Sequence, residues 1–107
     1  MNYEAYIPLI VEELKKAKPE KIILFGSYVY GQPNEDSDLD ILVIKDIETE
    51  SVRDFRVDLK LKLWKLIKNY NIPIDIIVDS QKRINQRIHD GDQFYKEIIT
   101  KGFVLYA

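Results

Sequence analysis

The stretch Ile23 to Val43, ILFGSYVYGQPNEDSDLDILV, passes from one apolar run into another through Gly26, Gly31 and the acidic pair Asp38 and Asp40. Its opening belongs to KIILF, a continuous apolar run of strand length closed by Gly26, which reads as a buried strand. SYVYG is about one turn of helix or loop, and QPNEDSD is rich in turn formers. LDILVI is then a second strand, in which Asp40 interrupts an otherwise apolar sequence. Residues i and i+2 of a strand point to one face, about 6.7 Å apart at Cα, so Asp38 and Asp40 can aim their carboxylates at one volume. Two bare carboxylates about 5 Å apart repel by ~3 kcal/mol at an effective dielectric of ~20, and a positive charge is expected between them.

Upstream, YEAYIPLIVEELKKAK carries Tyr3, Tyr6, Ile7, Ile10, Leu14 and Ala17 at helical spacing, with Pro8 near its start and Pro19 as its stop. Downstream, Ser51 to Tyr70 is the longest helical pattern, with Val52, Phe55, Leu59, Leu63, Leu66, Ile67 and Tyr70 on one stripe. Val57, Leu61 and Trp64 form a second apolar ridge on roughly the opposite side. Either the terminal elements cover it, or it is an exposed surface for self-association or partner docking. IPIDIIV is a third strand, with Asp75 among branched residues. Ser80 suits the cap of a helix through about His89, Asp90-Gly91 breaks it, Asp92 starts another that stops at Gly102, and FVLYA reads as a short terminal strand. The order is that of an α/β domain, with helices packed on a small sheet, in a single unit over residues 1–107.

Composition narrows the function classes. Of 107 residues, 46% are hydrophobic, enough for one core. Sixteen Lys and Arg against 18 Asp and Glu leave a net charge of -2, without the basic field that direct nucleic-acid binding needs. The absence of cysteine removes disulfides and thiolate metal sites. No apolar run approaches the ~20 residues of a membrane span, and the acidic N-terminus is unlike a signal peptide. The expectation is a cytoplasmic chain with no membrane partner.

The chemistry lies in two glycines and three aspartates. Two Mg²⁺ ions, or Mn²⁺, fit an acidic pair that leaves coordination positions for phosphate oxygens or water. Asp75 is the best candidate for a third ligand, because it alone breaks the remaining strand. Gly26 has no Cβ to keep a phosphate from the backbone, and a short helix beginning at Ser27 would aim N–H groups and a hydroxyl at that phosphate. By itself, a Gly-Ser pair is only a turn, Asp-x-Asp is only solvated surface, and Asp75 is only a strand-edge acid. Their combination in this order points to a nucleoside triphosphate. His89, the single histidine, reads as a surface or helix-end residue, and Lys60, Lys62, Lys65 and Lys68, which do not share one face, read as solvated.

FGSYVYGQPNEDSDLDILV, with Asp75 on a later strand, resembles the signature of the DNA polymerase β-like nucleotidyltransferase superfamily. The small size is similar to its minimal nucleotidyltransferase (MNT) group, whose members are often encoded beside a helical HEPN-domain protein and act as its antitoxin. The resemblance implies a short mixed β-sheet packed with helices. It also implies that Gly26 and Ser27 hold the triphosphate, that Asp38 and Asp40 bind both metals, and that Asp75 binds the metal nearest the attacking group. Where many relatives have arginine before the second glycine, this chain has Tyr30. The activity implied is transfer of AMP from MgATP to a hydroxyl, such as a tyrosine of a HEPN toxin. Transfer to a small molecule such as an aminoglycoside, and a non-catalytic module that only binds its partner, are the competing readings. Homo-oligomerisation is open.

Overall fold

The structure is a computed structural model that describes residues 3–31 and 38–107. The turn-rich residues 32–37 lie outside the described residues. Among the described residues five helices and four strands follow one another as α1 (Ile7–Lys15), β1 (Lys21–Phe25), α2 (Ser27–Tyr30), β2 (Leu39–Ile44), α3 (Thr49–Ile67), β3 (Ile74–Asp79), α4 (Gln81–His89), α5 (Gln93–Lys101) and β4 (Phe103–Tyr106). The strands form one sheet in the order β3-β2-β1-β4. β1 is antiparallel to both of its neighbours, while β2 and β3 are parallel, with α3 as the crossover between them. The sheet is therefore mixed, as the resemblance implies.

Strand alternation divides the core in two. Ile22, Leu24, Leu39, Ile41, Val43, Ile76 and Val78 pack with Ile10 and Leu14 of α1 and with Leu59, Leu63 and Ile67 of α3. Ile23, Phe25, Leu42 and Ile44 turn to the opposite face and pack with Ile84 of α4 and with Tyr95 and Ile98 of α5. Both faces of β1 and β2 are thus covered, which is why these strands read as unbroken apolar runs. Asp40 and Asp75 share the parity of Leu42 and Ile77, so they lie on the α4/α5 face.

The termini of the helices follow local chemistry. Pro8 sits in the first turn of α1. Ser80 caps α4 by accepting from the Arg83 amide, and Asp92 caps α5 by accepting from the Tyr95 amide. α3 begins two residues before the sequence-based boundary and ends three before it. The chain turns at its end through Asn71, whose φ of 53° lies in the left-handed region that asparagine tolerates. Of the expected main stripe, Leu59, Leu63 and Ile67 are buried and Val52 and Phe55 are partly buried, but Leu66 (37% exposed) and Tyr70 (48% exposed) are not core. Tyr70 lies against the Tyr6 ring instead, with centroids 4.9 Å apart. The second ridge is solvent-facing, with Val57, Leu61 and Trp64 all more than half exposed. With Ile74 and Ile76 they line a groove of about 430 Å³ between α3 and β3.

One polar network ties the lower end of the sheet together. Asp79, at the end of β3, accepts from Arg83 and from the Tyr95 hydroxyl (2.7 Å). Arg83 also donates to Thr49 Oγ1 (3.0 Å) and to the Ile47 carbonyl (2.8 Å), so it links α4 to the start of α3. Burial, followed by the hydrogen bond to Asp79 and its negative charge, pushes the Tyr95 hydroxyl well above its ordinary value.

Leu63→Ala is expected to cost ~2–5 kcal/mol, as a cavity in the core, whereas Leu61→Gln and Trp64→Gln should each shift stability by no more than about 0.5 kcal/mol. Urea unfolding measures both. The raised Tyr95 pKa makes its stabilisation fully present below about pH 10, the ordinary tyrosine value, and lost as pH rises beyond it, because only the unfolded chain ionises there. Melting curves from pH 8 to 11 should show a smaller alkaline loss in Tyr95→Phe than in wild type.

Candidate functional site

The site is built at one end of the β1-β2-β3 ladder. In register, Phe25 of β1 lies opposite Asp40, and Asp40 lies beside Asp75 of the parallel neighbour. This row is fixed from below by the apolar ladder and from above by the Leu39 amide, which donates to the Pro73 carbonyl at 2.9 Å. The two aspartates are therefore cross-strand neighbours, a placement in which like charges are destabilising. Asp38 precedes β2 and is exposed. Its charge still reaches the pair. Burial chiefly, then the charges of Asp75 and Asp38, hold the Asp40 carboxyl above the usual carboxylate range.

β1 runs into α2 through Gly26, which takes φ 82° and stands at the helix N-cap. A Cβ at this position would lie 2.1 Å from Oδ2 of Asp40. Gly26 therefore brings bare backbone against the carboxylate, and no other residue type fits both the dihedral and the space. Ser27, the first residue of α2, is exposed beside it. The short helix is closed by Val29 and Tyr30 amides donating to the Gly26 carbonyl, at 3.0 and 3.1 Å. Tyr28 anchors it to the N-terminal segment, its hydroxyl accepting from the Tyr3 amide (3.2 Å) and its ring stacking on Tyr3. Gly26, Ser27, Asp38, Asp40 and Asp75 thus gather at one end of the sheet.

Asp75 has two cations that the sequence reading missed. Arg56 Nη2 and Lys60 Nζ each stand 3.7 Å from its Oδ1. Arg56 also donates through Nε to the Ile76 carbonyl at 2.6 Å. Lys60 is thereby corrected from a solvated lysine to one paired with Asp75. The signal available in the sequence was the i, i+4 spacing of Arg56 and Lys60, which puts both on one side of α3. Lys62, by contrast, pairs with Asp58 (2.9 Å), and Lys68 lies over the Trp64 ring. His89 falls at the end of α4, as read.

The donor type suits a hard divalent cation, since Asp38, Asp40 and Asp75 lie near one strand end, and burial, then the charges of Asp75 and Asp38, raise the Asp40 pKa. Among the described residues, however, no three acidic or histidine side chains are already drawn together as a chelate. Bare carboxylates repel, and here Asp75 leans on Arg56 and Lys60 instead.

A glycine-serine turn after β1, Asp40 on β2 with Asp38 just before it, and Asp75 in register on β3 thus share one end of the sheet. The family model described as "Nucleotidyltransferase domain" matches residues 7–106, and the chain belongs to that family. It is an enzyme of the nucleotidyltransferase class. Two proteins of Methanocaldococcus jannaschii are similar to it, each named "Putative protein adenylyltransferase". One is 37% identical over 109 residues, covering 99% of this chain and 100% of that protein. The other is 32% identical over 69 residues, covering 64% and 63%. No solved structure matches significantly. Among the described residues no helix is long and apolar enough to cross a membrane.

Gly26→Ala combined with Asp40→Ala should give a coupled cycle. Alone, Gly26→Ala is expected to cost ~1–3 kcal/mol from a positive-φ, extended-ψ backbone that is essentially restricted to glycine, plus the clash with the carboxylate. In the Asp40→Ala background only the backbone cost remains, a difference of at least ~0.5 kcal/mol in denaturant unfolding.

Proposed function

We propose that the domain transfers AMP from MgATP to a hydroxyl of a partner protein. The observation that carries this is the Asp40–Asp75 row set against the Gly26 backbone, an acidic strand end beside a glycine-serine turn whose Ser27 is exposed. Asp38, Asp40 and Asp75 would hold Mg²⁺, or Mn²⁺, two ions being the number the carboxylates and a triphosphate can share. When bound, the ions supply positive charge to the phosphate oxygens and acidify the acceptor hydroxyl.

The residues of the chain do the rest. Gly26 admits the phosphates to the backbone, and Ser27 donates its hydroxyl to them. Asp75, half-exposed at the outer strand, receives the proton as the acceptor oxygen bonds to the α-phosphorus. The bond from that phosphorus to the bridging oxygen breaks, and pyrophosphate leaves with the electron pair.

The protein acceptor is supported by the names of the two relatives and by the exposed ridge of Val57, Leu61 and Trp64 near the site. The resemblance to the MNT group narrows it to a tyrosine of a HEPN-domain toxin, with this chain as the antitoxin.

Incubation with ATP labelled at the α-phosphate tests the proposal. Wild type should label the partner protein. Asp38→Ala and Asp40→Ala should label nothing yet melt no lower than wild type, since each relieves like-charge repulsion. Asp75→Asn should bind nucleotide but not transfer it, and Ser27→Ala should weaken triphosphate binding by ~1–3 kcal/mol. Undiminished labelling by Asp40→Ala would refute the site. Label on an aminoglycoside would replace the protein acceptor with a small molecule, and partner binding without label would leave a non-catalytic module.

A further inference from the structure

Arg56 and Lys60 bring two positive groups to a single oxygen, Oδ1 of Asp75, each at 3.7 Å. One would neutralise the carboxylate. Both come from α3, which packs on the face opposite to that of Asp75, so both side chains reach around the open edge of β3. They differ in how they are held. Arg56 is fixed by its bond to the Ile76 carbonyl, while Lys60, among the described residues, has Asp75 as its charge partner. Asp40, the adjacent acid, forms no ion pair among the described residues.

We propose that Arg56 and Lys60 are a resident counter-charge of Asp75, with which a divalent cation has to compete and whose mobile half, Lys60, the phosphates of an incoming nucleotide then take up. The inference rests on the reading of Asp38, Asp40 and Asp75 as the metal-holding acids. A cation arriving alone competes with Lys60 for Oδ1 and leaves the ammonium without a partner. A cation arriving with nucleotide does not, because phosphate oxygens offer the ammonium an equal, charge-assisted bond. Lys60, a point charge on a flexible stem, makes that exchange; Arg56, anchored by its planar fork, stays at the strand edge. The site therefore disfavours a bare cation and favours the cation and nucleotide together.

The test measures binding without turnover. Mn²⁺ alone is followed by the electron-spin resonance of the free ion, and a non-hydrolysable ATP analogue with Mg²⁺ by calorimetry. Lys60→Gln should tighten Mn²⁺ two- to fivefold, about the worth of a half-exposed ion pair, and weaken the analogue about tenfold. Arg56→Gln should also tighten Mn²⁺. Lys62→Gln removes the same charge from the same helix but from a pair with Asp58, and should move either affinity less than twofold. The inference is overturned if Lys60→Gln leaves Mn²⁺ binding unchanged, shifts it no more than Lys62→Gln does, or leaves the analogue as tightly bound. Asp40→Asn separates this outcome from failure of the underlying site. If it abolishes Mn²⁺ binding while Lys60→Gln has no effect, only the counter-charge falls. If it binds Mn²⁺ like wild type, the acids are not the metal site and both readings fall together.

Discussion

The parallel register of β2 and β3 is the constraint on which the rest depends. It sets Asp40 beside Asp75 at a strand end, where Phe25 and the Gly26 turn flank Asp40 and Asp75 stays half exposed. Nothing in the pair itself favours this placement. It is imposed by the other five pairs of the ladder from Leu39↔Ile74 to Ile44↔Asp79, four of them apolar on both sides, whose burial outweighs one unfavourable contact near the end of the row. A shift by one residue would turn Leu42 and Ile44 out of their core, so the acids cannot relax by slipping. The fold stores the repulsion, and charge from outside the sheet relieves it.

The two ends of β3 handle their acids differently. At the lower end Asp79 is enclosed by Arg83, Tyr95 and the Ser80 amide, each bond made within the chain. At the upper end Asp75 meets two cations at a loose 3.7 Å and remains half exposed. A closed network rigidifies, whereas loosely held ion pairs at a half-exposed position are worth little and exchange partners readily. The same strand thus carries a structural aspartate and an exchangeable one.

Most of this was legible in sequence, and the exceptions have physical reasons. The three strands that bear the site could be read because each is a short apolar run, β1 closed by Gly26, β3 opening after Pro73 and β2 flanked by polar residues, and Asp40 and Asp75 stood out as the charges inside them. Ser80 and Asp92 were legible as caps because their side chains act locally. Leu66 and Tyr70 were misjudged because helical spacing gives a direction around α3 but not how far the sheet extends beneath it. Lys60 was missed for a related reason. Its partner lies fifteen positions away on a strand whose edge position only the sheet order reveals. Periodicity registers what faces a core and is blind to a side chain that wraps around an edge.

That wrapping has a further effect. β3 is an outermost strand, and outermost strands are where chains stick to one another by continuing the hydrogen-bond ladder. Here the Ile76 carbonyl is already taken by the Arg56 guanidinium, in the stretch beside Asp75. An intruding strand would have to strip a hydrated cation from its carbonyl and then lie against two positive side chains. The side chains that attend the acid therefore also guard this margin of the sheet against aggregation.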